Sequence, residues 1–412
     1  MSQTKQLPKP ISILFEYSVF LIVGSLIALI WANVNEHSYH AFIHHALPLK
    51  IGHHQLNLHF IVNDIFMVFF FGIAMKEVTE AFLPGGSLSS LSKASLPVIG
   101  TLGGVIGPVV VFVVMTMIFK QGPEQKAMLH GWAIPTATDI AYSWLFAKIV
   151  FGAVHPAVTF LLVLAVLDDL IGMAIIAVFY SNDVHAKFLG ILLIGMAMAF
   201  LLRRKGVQNF WPYVIFGGIP AWFGLLFTGV HSSLALVFIV PFMPAKPHDD
   251  KLYDASEMET IPDTLNHFEH FFKSPVDIGL FFFGLSNAGV PASSAGMGTA
   301  ITISAILLGK TFGIFSFSMF GNKVLKMSFP PHTGAKEVFV LGVVAAIGFT
   351  VAIFVTGVAF GNPPAHLTST EELKAIVKQY ELEMKMGALL SFASGAIAIF
   401  LGKILRVEKV NS

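Results

Sequence analysis

Two adjacent aspartates, Asp168 and Asp169, stand in the run FLLVLAVLDDLIGMAIIAVFY, from Phe160 to Tyr180, which holds no other charge. An acid at the centre of a bilayer costs at least ~2.5–3.5 kcal/mol, so a pair of them implies a water-filled cavity and traffic in protons or cations. A third acid, Asp139, lies in GWAIPTATDIAYSW, where Pro135 with Thr136 and Thr138 interrupts the helix. Broken backbone at membrane depth is tolerated only where it lines a cavity or is buried in protein. The half-helix after the break begins with a partly positive end that an aspartate neutralises, so Asp139 has a structural task beside any role as a ligand.

Lys310, in AILLGKTFGIF, is the matching cation. A lysine at that depth must lose its proton or find an acid. Asp168, Asp139 and the negative ends of broken half-helices are the candidate partners. One reading is a purely structural ion pair; the other is a lysine that gives up its proton during transport. Successive residues on a helix point about 100° apart, so Asp168 and Asp169 cannot project identically. One should hold the transported cation while the other meets Lys310 or a helix end. Oxygen ligands suit a hard cation, and the lack of cysteine in the chain and of histidine beside the pair argues against a transition metal there.

The elements that must position these residues are membrane spans. Hydrophobic residues make up 55% of the 412 and charged ones 12%, against about 25% in a soluble chain. Net charge is +1, which argues against nucleic acid as a partner. Absence of cysteine removes disulfides, thiolate metal sites and thiol nucleophiles. Apolar windows of about 20 residues, the length that crosses a ~30 Å core, give about twelve spans in one integral membrane domain over 1–412. They run at 11–32, 59–83, 95–119, 126–147, 155–180, 184–202, 210–224, 229–244, 267–290, 299–321, 334–360 and 382–405. An even number places both termini on one side. Lysine and arginine concentrate there, with Arg203-Arg204-Lys205 as the clearest marker, so both ends are expected in the cytoplasm. The first span, after MSQTKQLPKP, reads as an uncleaved anchor.

Breaks fall in the fourth span and in the eleventh, LGVVAAIGFTVAIFV, which Gly342, Gly348 and Thr350 loosen. Paired broken helices in corresponding halves mark a transporter's binding site. Spans three to five and ten to twelve would then be inverted copies. Residues 47–58, LPLKIGHHQLNL, alternate around Gly52-His53-His54 and predict a short outer β-hairpin. The polar loop 245–265 is a cytoplasmic acidic segment, read as solvated linker with a regulatory surface as the alternative. Seven of the sixteen histidines lie between His37 and His59. Zinc binding or external pH sensing is open to them, and solvent-facing hairpin residues are the plainer reading. His231 alone, at a helix start, reads as a cap or packing residue.

Six ordered segments, WAIPTATDIA, LDDLIG, TGVHSSLA, SNAGV, LLGKTFGI and IGFTVAIF, resemble the bacterial sodium/proton antiporter family of the NhaA type. The likeness extends from the first span to the last. That family is itself a standing example of inverted repeats with broken helices, so the two arguments are not independent. The resemblance implies a secondary antiporter, not an enzyme, that exports cytoplasmic sodium or lithium for external protons, electrogenically and under pH control. It implies an inner-membrane homodimer joined through the 47–58 hairpin, with no cofactor beyond the transported ions. Asp169 then corresponds to the main cation and proton carrier, Asp168 to its neighbour, and Asp139 with Thr138 to the crossing of the broken helices. Lys310 corresponds to the residue that compensates the half-helix ends and pairs with Asp168. His231, Glu80, Glu269 and His270 correspond to positions of pH response. The chain departs from the family at MKEVTE, where Lys76 replaces an acid while Glu80 is kept, and in the segment after Glu269, which looks shorter and carries Asp277. Those changes put the pH profile in question and leave the transport site intact.

Two other classes use buried acids. A cation channel predicts flux without proton coupling, and the lysine in the same cavity argues against it. An intramembrane aspartyl protease needs two acids on separate helices sharing a proton. Asp139 and Asp169 mimic that pair, but the sequence contexts such enzymes carry are missing around them.

Overall fold

Long apolar runs leave the backbone no partner but itself, and the chain answers with helices almost throughout. The computed structural model describes residues 19–52, 54–89, 91–181, 184–246 and 263–410. The helices, in order, are α1 (Val19–Val34), α2 (Glu36–Ile43), α3 (Leu58–Phe82), α4 (Leu91–Phe119), α5 (Gly122–His130), α6 (Ile140–Phe151) and α7 (Pro156–Phe179). They continue as α8 (Leu189–Arg204), α9 (Phe210–Thr228), α10 (Thr264–Asn287), α11 (Met297–Lys323), α12 (Ala335–Ala345), α13 (Phe349–Gly361) and α14 (Glu371–Ile404). The two strands are β1 (Lys50–Ile51) and β2 (His54–Gln55), paired antiparallel. The expected acidic loop falls mostly in 247–262, outside the described residues, as does the part of the expected N-terminal anchor that precedes Val19.

Among the described residues, seven helices are long and apolar enough to cross a membrane, or eight if α12 and α13, bent by 48° at their junction, make one span. Three features separate this from the twelve expected spans. The stretch expected as a span at 229–244 winds into two tight 3-10 segments, Ser232–Phe238 and Val240–Phe242. The fourth expected span is interrupted, with a single 3-10 turn at Ile134–Thr136 between α5 and α6. The last helix begins at Glu371 rather than 382, because a charge-paired stretch precedes its apolar part, with Lys374–Glu371 at 2.7 Å and Lys378–Glu381 at 2.9 Å.

Packing follows membrane rather than soluble rules. Val110, Val114, Ile118, Leu193, Ile194, Phe216, Phe320 and Phe400 are all exposed, an apolar perimeter that water would not tolerate over such an area. Between helices, small residues permit close approach. A Cβ on Gly103 would lie 2.2 Å from the Gly313 carbonyl oxygen, and one on Gly107 2.2 Å from that of Gly309. Helices α4 and α11 therefore touch backbone to backbone at Gly309 and Gly313, which fixes the depth of Lys310 between them.

Three helical stretches widen to π-helix, at Ile61–Phe66, Tyr213–Gly218 and Ala305–Gly309. Such widenings gather at functional sites. The first contains Asp64 and the third ends beside Lys310.

Candidate functional site

Two interrupted segments meet back to back. After α5 the chain turns at Ile134–Thr136, runs extended through Ala137, and starts α6 with Asp139 as the capping residue, whose Oδ1 accepts from the Tyr142 amide at 3.3 Å. Across from it, α12 ends at Ala345 and α13 starts at Phe349. The Asp139 amide donates to the Ile347 carbonyl at 2.6 Å, the Thr138 hydroxyl to that of Ala345 at 3.0 Å, and the Ser143 hydroxyl to that of Val344 at 3.1 Å. The first break thus satisfies orphan carbonyls of the second. The Thr350 amide donates to Asp139 Oδ2 at 3.1 Å, and the Thr350 hydroxyl donates to the same oxygen. One carboxylate therefore caps two half-helices, α6 and α13, at their positive ends.

Lys310 reaches into the same junction from α11. Its Nζ lies 3.0 Å from Asp168 Oδ2 and 2.5 Å from Thr138 Oγ1, and it also donates to the Thr136 carbonyl. Of the three partners open to it in the sequence, it takes Asp168 directly, while Asp139 goes to Thr350. The ammonium is 0% exposed and Asp168 4% exposed, so an unpaired charge on either would be intolerable. Asp169, one residue on, has no hydrogen bond or ion pair among the described residues. Both aspartates line a void of about 10 Å³, room for about one water-sized occupant, with Thr136, Ala137, Val351 and Val355 on its walls. The pair is thereby divided: the Asp168 carboxylate meets lysine, and Asp169 lines the void with no side-chain hydrogen bond or ion pair among the described residues.

A larger cavity of about 920 Å³ lies next to it, lined by His59, Asn63, Asp64, His231, Ser232 and Phe354 among others. Asp64, overlooked in the sequence, accepts from the Ser232 hydroxyl at 2.8 Å. Its signal was the one used for Asp168, an acid inside an apolar run. His231 caps the Ser232–Phe238 turn, its Nδ1 2.8 Å from Ser233 Oγ and its ring 5.1 Å from that of Phe354. The cap expected from sequence and a place on the cavity wall are both realised.

The remaining expected residues form a separate cluster. Lys76 Nζ lies 2.7 Å from Glu80 and 2.5 Å from Glu269, all three buried. His270 is exposed and has no bond to that cluster among the described residues. Where Lys76 stands, an acid would place three carboxylates together. Lys76→Glu is expected to cost on the order of 3–5 kcal/mol at alkaline pH, with part regained on acidification as one carboxylate takes a proton. Thermal unfolding of the detergent-solubilised protein between about pH 6 and pH 8 checks this; a pH-independent loss would contradict it.

Apolar spans enclosing a divided pair of acids and a buried lysine define a multi-pass membrane transporter of small cations. Residues 15–399 match the family model described as Na+/H+ antiporter 1. The chain is 47% identical over 407 residues to the Na(+)/H(+) antiporter NhaA of Desulfitobacterium hafniense, covering 98% of each protein. It is 46% identical over 406 residues to the namesake of Geobacter sulfurreducens, covering 98% of this chain and 99% of that one. The fold resembles that of the sodium proton antiporter MjNhaP1 of Methanocaldococcus jannaschii, with a TM-score of 0.53 at 14% identity over 97% of this chain and 99% of that one. The chain belongs to the Na+/H+ antiporter 1 family: it is a sodium/proton antiporter and not an enzyme. Neither the channel nor the protease reading has support.

Proposed function

We propose that this protein exports cytoplasmic sodium or lithium in exchange for external protons, with Asp169 as the group that alternately binds cation and proton. The observation that carries this is the division of the two aspartates, Asp168 held by Lys310 and the Asp169 carboxylate without a side-chain partner among the described residues, at a void of single-ion size. A cation binds only deprotonated acid and protonation expels it, so one site open in turn to each side couples the two flows. Asp139 and Thr138 hold the junction, and Lys310 compensates the carbonyl ends and Asp168. Rocking of one bundle against the other supplies the alternation. Unequal charge movement makes the cycle sensitive to membrane potential, at ~2.3 kcal/mol per charge per 100 mV.

The architecture we infer has twelve spans, with α5–α6 and α12–α13 as the fourth and eleventh, broken and crossing mid-membrane within inverted repeats. Both termini lie in the cytoplasm and the protein resides in the bacterial inner membrane. The short strand pair Lys50–Ile51 and His54–Gln55 supports a hairpin edge through which two copies form a homodimer. Glu80 and Glu269, bridged by Lys76, with His270 at the exposed edge and His231 on the large cavity, serve the pH response. The only small molecules required are the transported ions.

The test is the collapse of a respiration-driven pH gradient in everted vesicles on addition of sodium or lithium. Collapse with both ions, and none in vesicles lacking the protein, is the expected result. Gradients that persist at every pH would contradict the assignment.

A further inference from the structure

Between α2 and the start of α3, three imidazoles lie in a row that the transport site does not use. The rings of His40 and His44 stack with centroids 5.9 Å apart and planes 13° apart, and His44 lies 5.4 Å from His59. His40 and His44 are four residues apart, so they share one face at the end of α2. Glu36 Oε1, one turn earlier, is 3.8 Å from His40 Nε2. The row thus begins at an exposed acid, passes an exposed ring at His44 and ends at His59, which lines the 920 Å³ cavity with Asp64 and His231. That cavity adjoins the inner void through α13, where Phe354 faces the one and Val351 and Val355 face the other.

We propose that His40, His44 and His59 are a proton-collecting relay that feeds the outer cavity during exchange. The proposal rests on the reading above, in which protons enter from this side. Supply is the reason such a device matters. At pH 8 free protons stand near 10 nM, and a diffusional limit of ~10¹⁰ M⁻¹s⁻¹ then delivers only about 100 per second to a single group. An imidazole accepts a proton on one ring nitrogen and releases one from the other, so each transfer leaves the ring neutral and able to act again. Groups that hold a proton too tightly would stall the row. Partial burial first, then the positive charge of Lys378, keeps His40 below the usual imidazole range; for His44 partial burial leads, followed by His40 and Lys378; for His59 burial leads, followed by Lys385 and His44, and brings it down to about 3, so it hands a proton on and does not store one. Lys378 and Lys385 lie near the row from α14, each paired to Glu381, at 2.9 and 2.7 Å. Glu36 stands at the outer end, and Asp64 lines the same cavity as His59 at the inner end.

The test uses the full-length protein reconstituted right-side-out in liposomes loaded with sodium, with turnover read at external pH 8 and pH 6.5. The variants are His40→Gln/His44→Gln and, separately, His59→Gln, each assayed in dilute buffer and in concentrated imidazole. In dilute buffer at pH 8 both variants should turn over several-fold more slowly, because each interrupts the row. The loss should vanish at pH 6.5 or when mobile imidazole carries protons instead. Wild-type turnover in both variants in dilute buffer at pH 8 would overturn the relay, as would a loss that imidazole does not rescue. If wild-type protein shows no sodium-driven proton flux at any pH, the antiport reading fails and the relay with it.

Discussion

Asp169→Asn is expected to abolish sodium- and lithium-driven proton movement while leaving the protein folded. The carboxamide cannot be deprotonated to an anion, so it offers a cation only a neutral oxygen and cannot carry a proton across. Stability should hold or rise, since Asp169 has no hydrogen bond or ion pair among the described residues to lose and its charge adjoins that of Asp168. The two effects separate a carrier from a structural residue. In everted vesicles the variant should match membranes without the protein at every pH, and calorimetry at alkaline pH should show no heat of sodium or lithium binding. Its unfolding temperature in detergent should stay within the shift expected from about 1 kcal/mol. Saturable sodium-driven exchange in the folded variant would remove Asp169 from the site. Asp168→Asn is the instructive contrast, because it strips Lys310 of the acid it is bonded to and should lower stability.

That contrast also measures what the sequence could say. The expense of a charge in lipid singled out Asp168, Asp169, Asp139 and Lys310, and the structure gathers three of the elements bearing them at one junction. Pro135 announced a break, and the need of a new helix for a cap placed Asp139 at its start. The choice among Lys310's partners was not legible in the residues by themselves; only the family resemblance pointed to Asp168. It depends on α4 and α11 touching through glycines and on two breaks exchanging hydrogen bonds some 200 residues apart in the chain, with Thr138 bonded to Ala345 at a separation of 207. Lys76 stood out only as a foreign residue in an acidic motif; its bridge from Glu80 to Glu269 is tertiary. The window that suggested a span at 229–244 counted apolar residues and could not register that the stretch winds as two 3-10 segments in place of one α-helix. Asp64 was readable by the rule that found Asp168 and was passed over.

Lys310→Met should produce the largest loss of stability of any single change at the site, on the order of 3–5 kcal/mol, because it leaves Asp168 charged, buried and unpaired. The same change deprives Thr138 Oγ1 and the Thr136 carbonyl of a donor, so the α5–α6 junction loosens together with the ion pair. Adding Asp168→Asn in the same chain removes the stranded charge. The double variant Lys310→Met/Asp168→Asn should therefore be more stable than Lys310→Met alone, and the cycle should return a coupling of roughly 2 kcal/mol or more. A coupling near zero would mean that the two groups do not meet as they do here at 3.0 Å. Recovery in the double variant is expected to stay incomplete, since methionine offers nothing to the Thr136 carbonyl and the junction keeps an unsatisfied acceptor. Stability regained without a matching return of sodium-driven exchange would assign the lysine to more than holding the helices in place: its charge would then belong to the transport cycle, where a fixed cation beside Asp168 keeps that acid occupied and leaves Asp169 as the one group that sodium and protons must share.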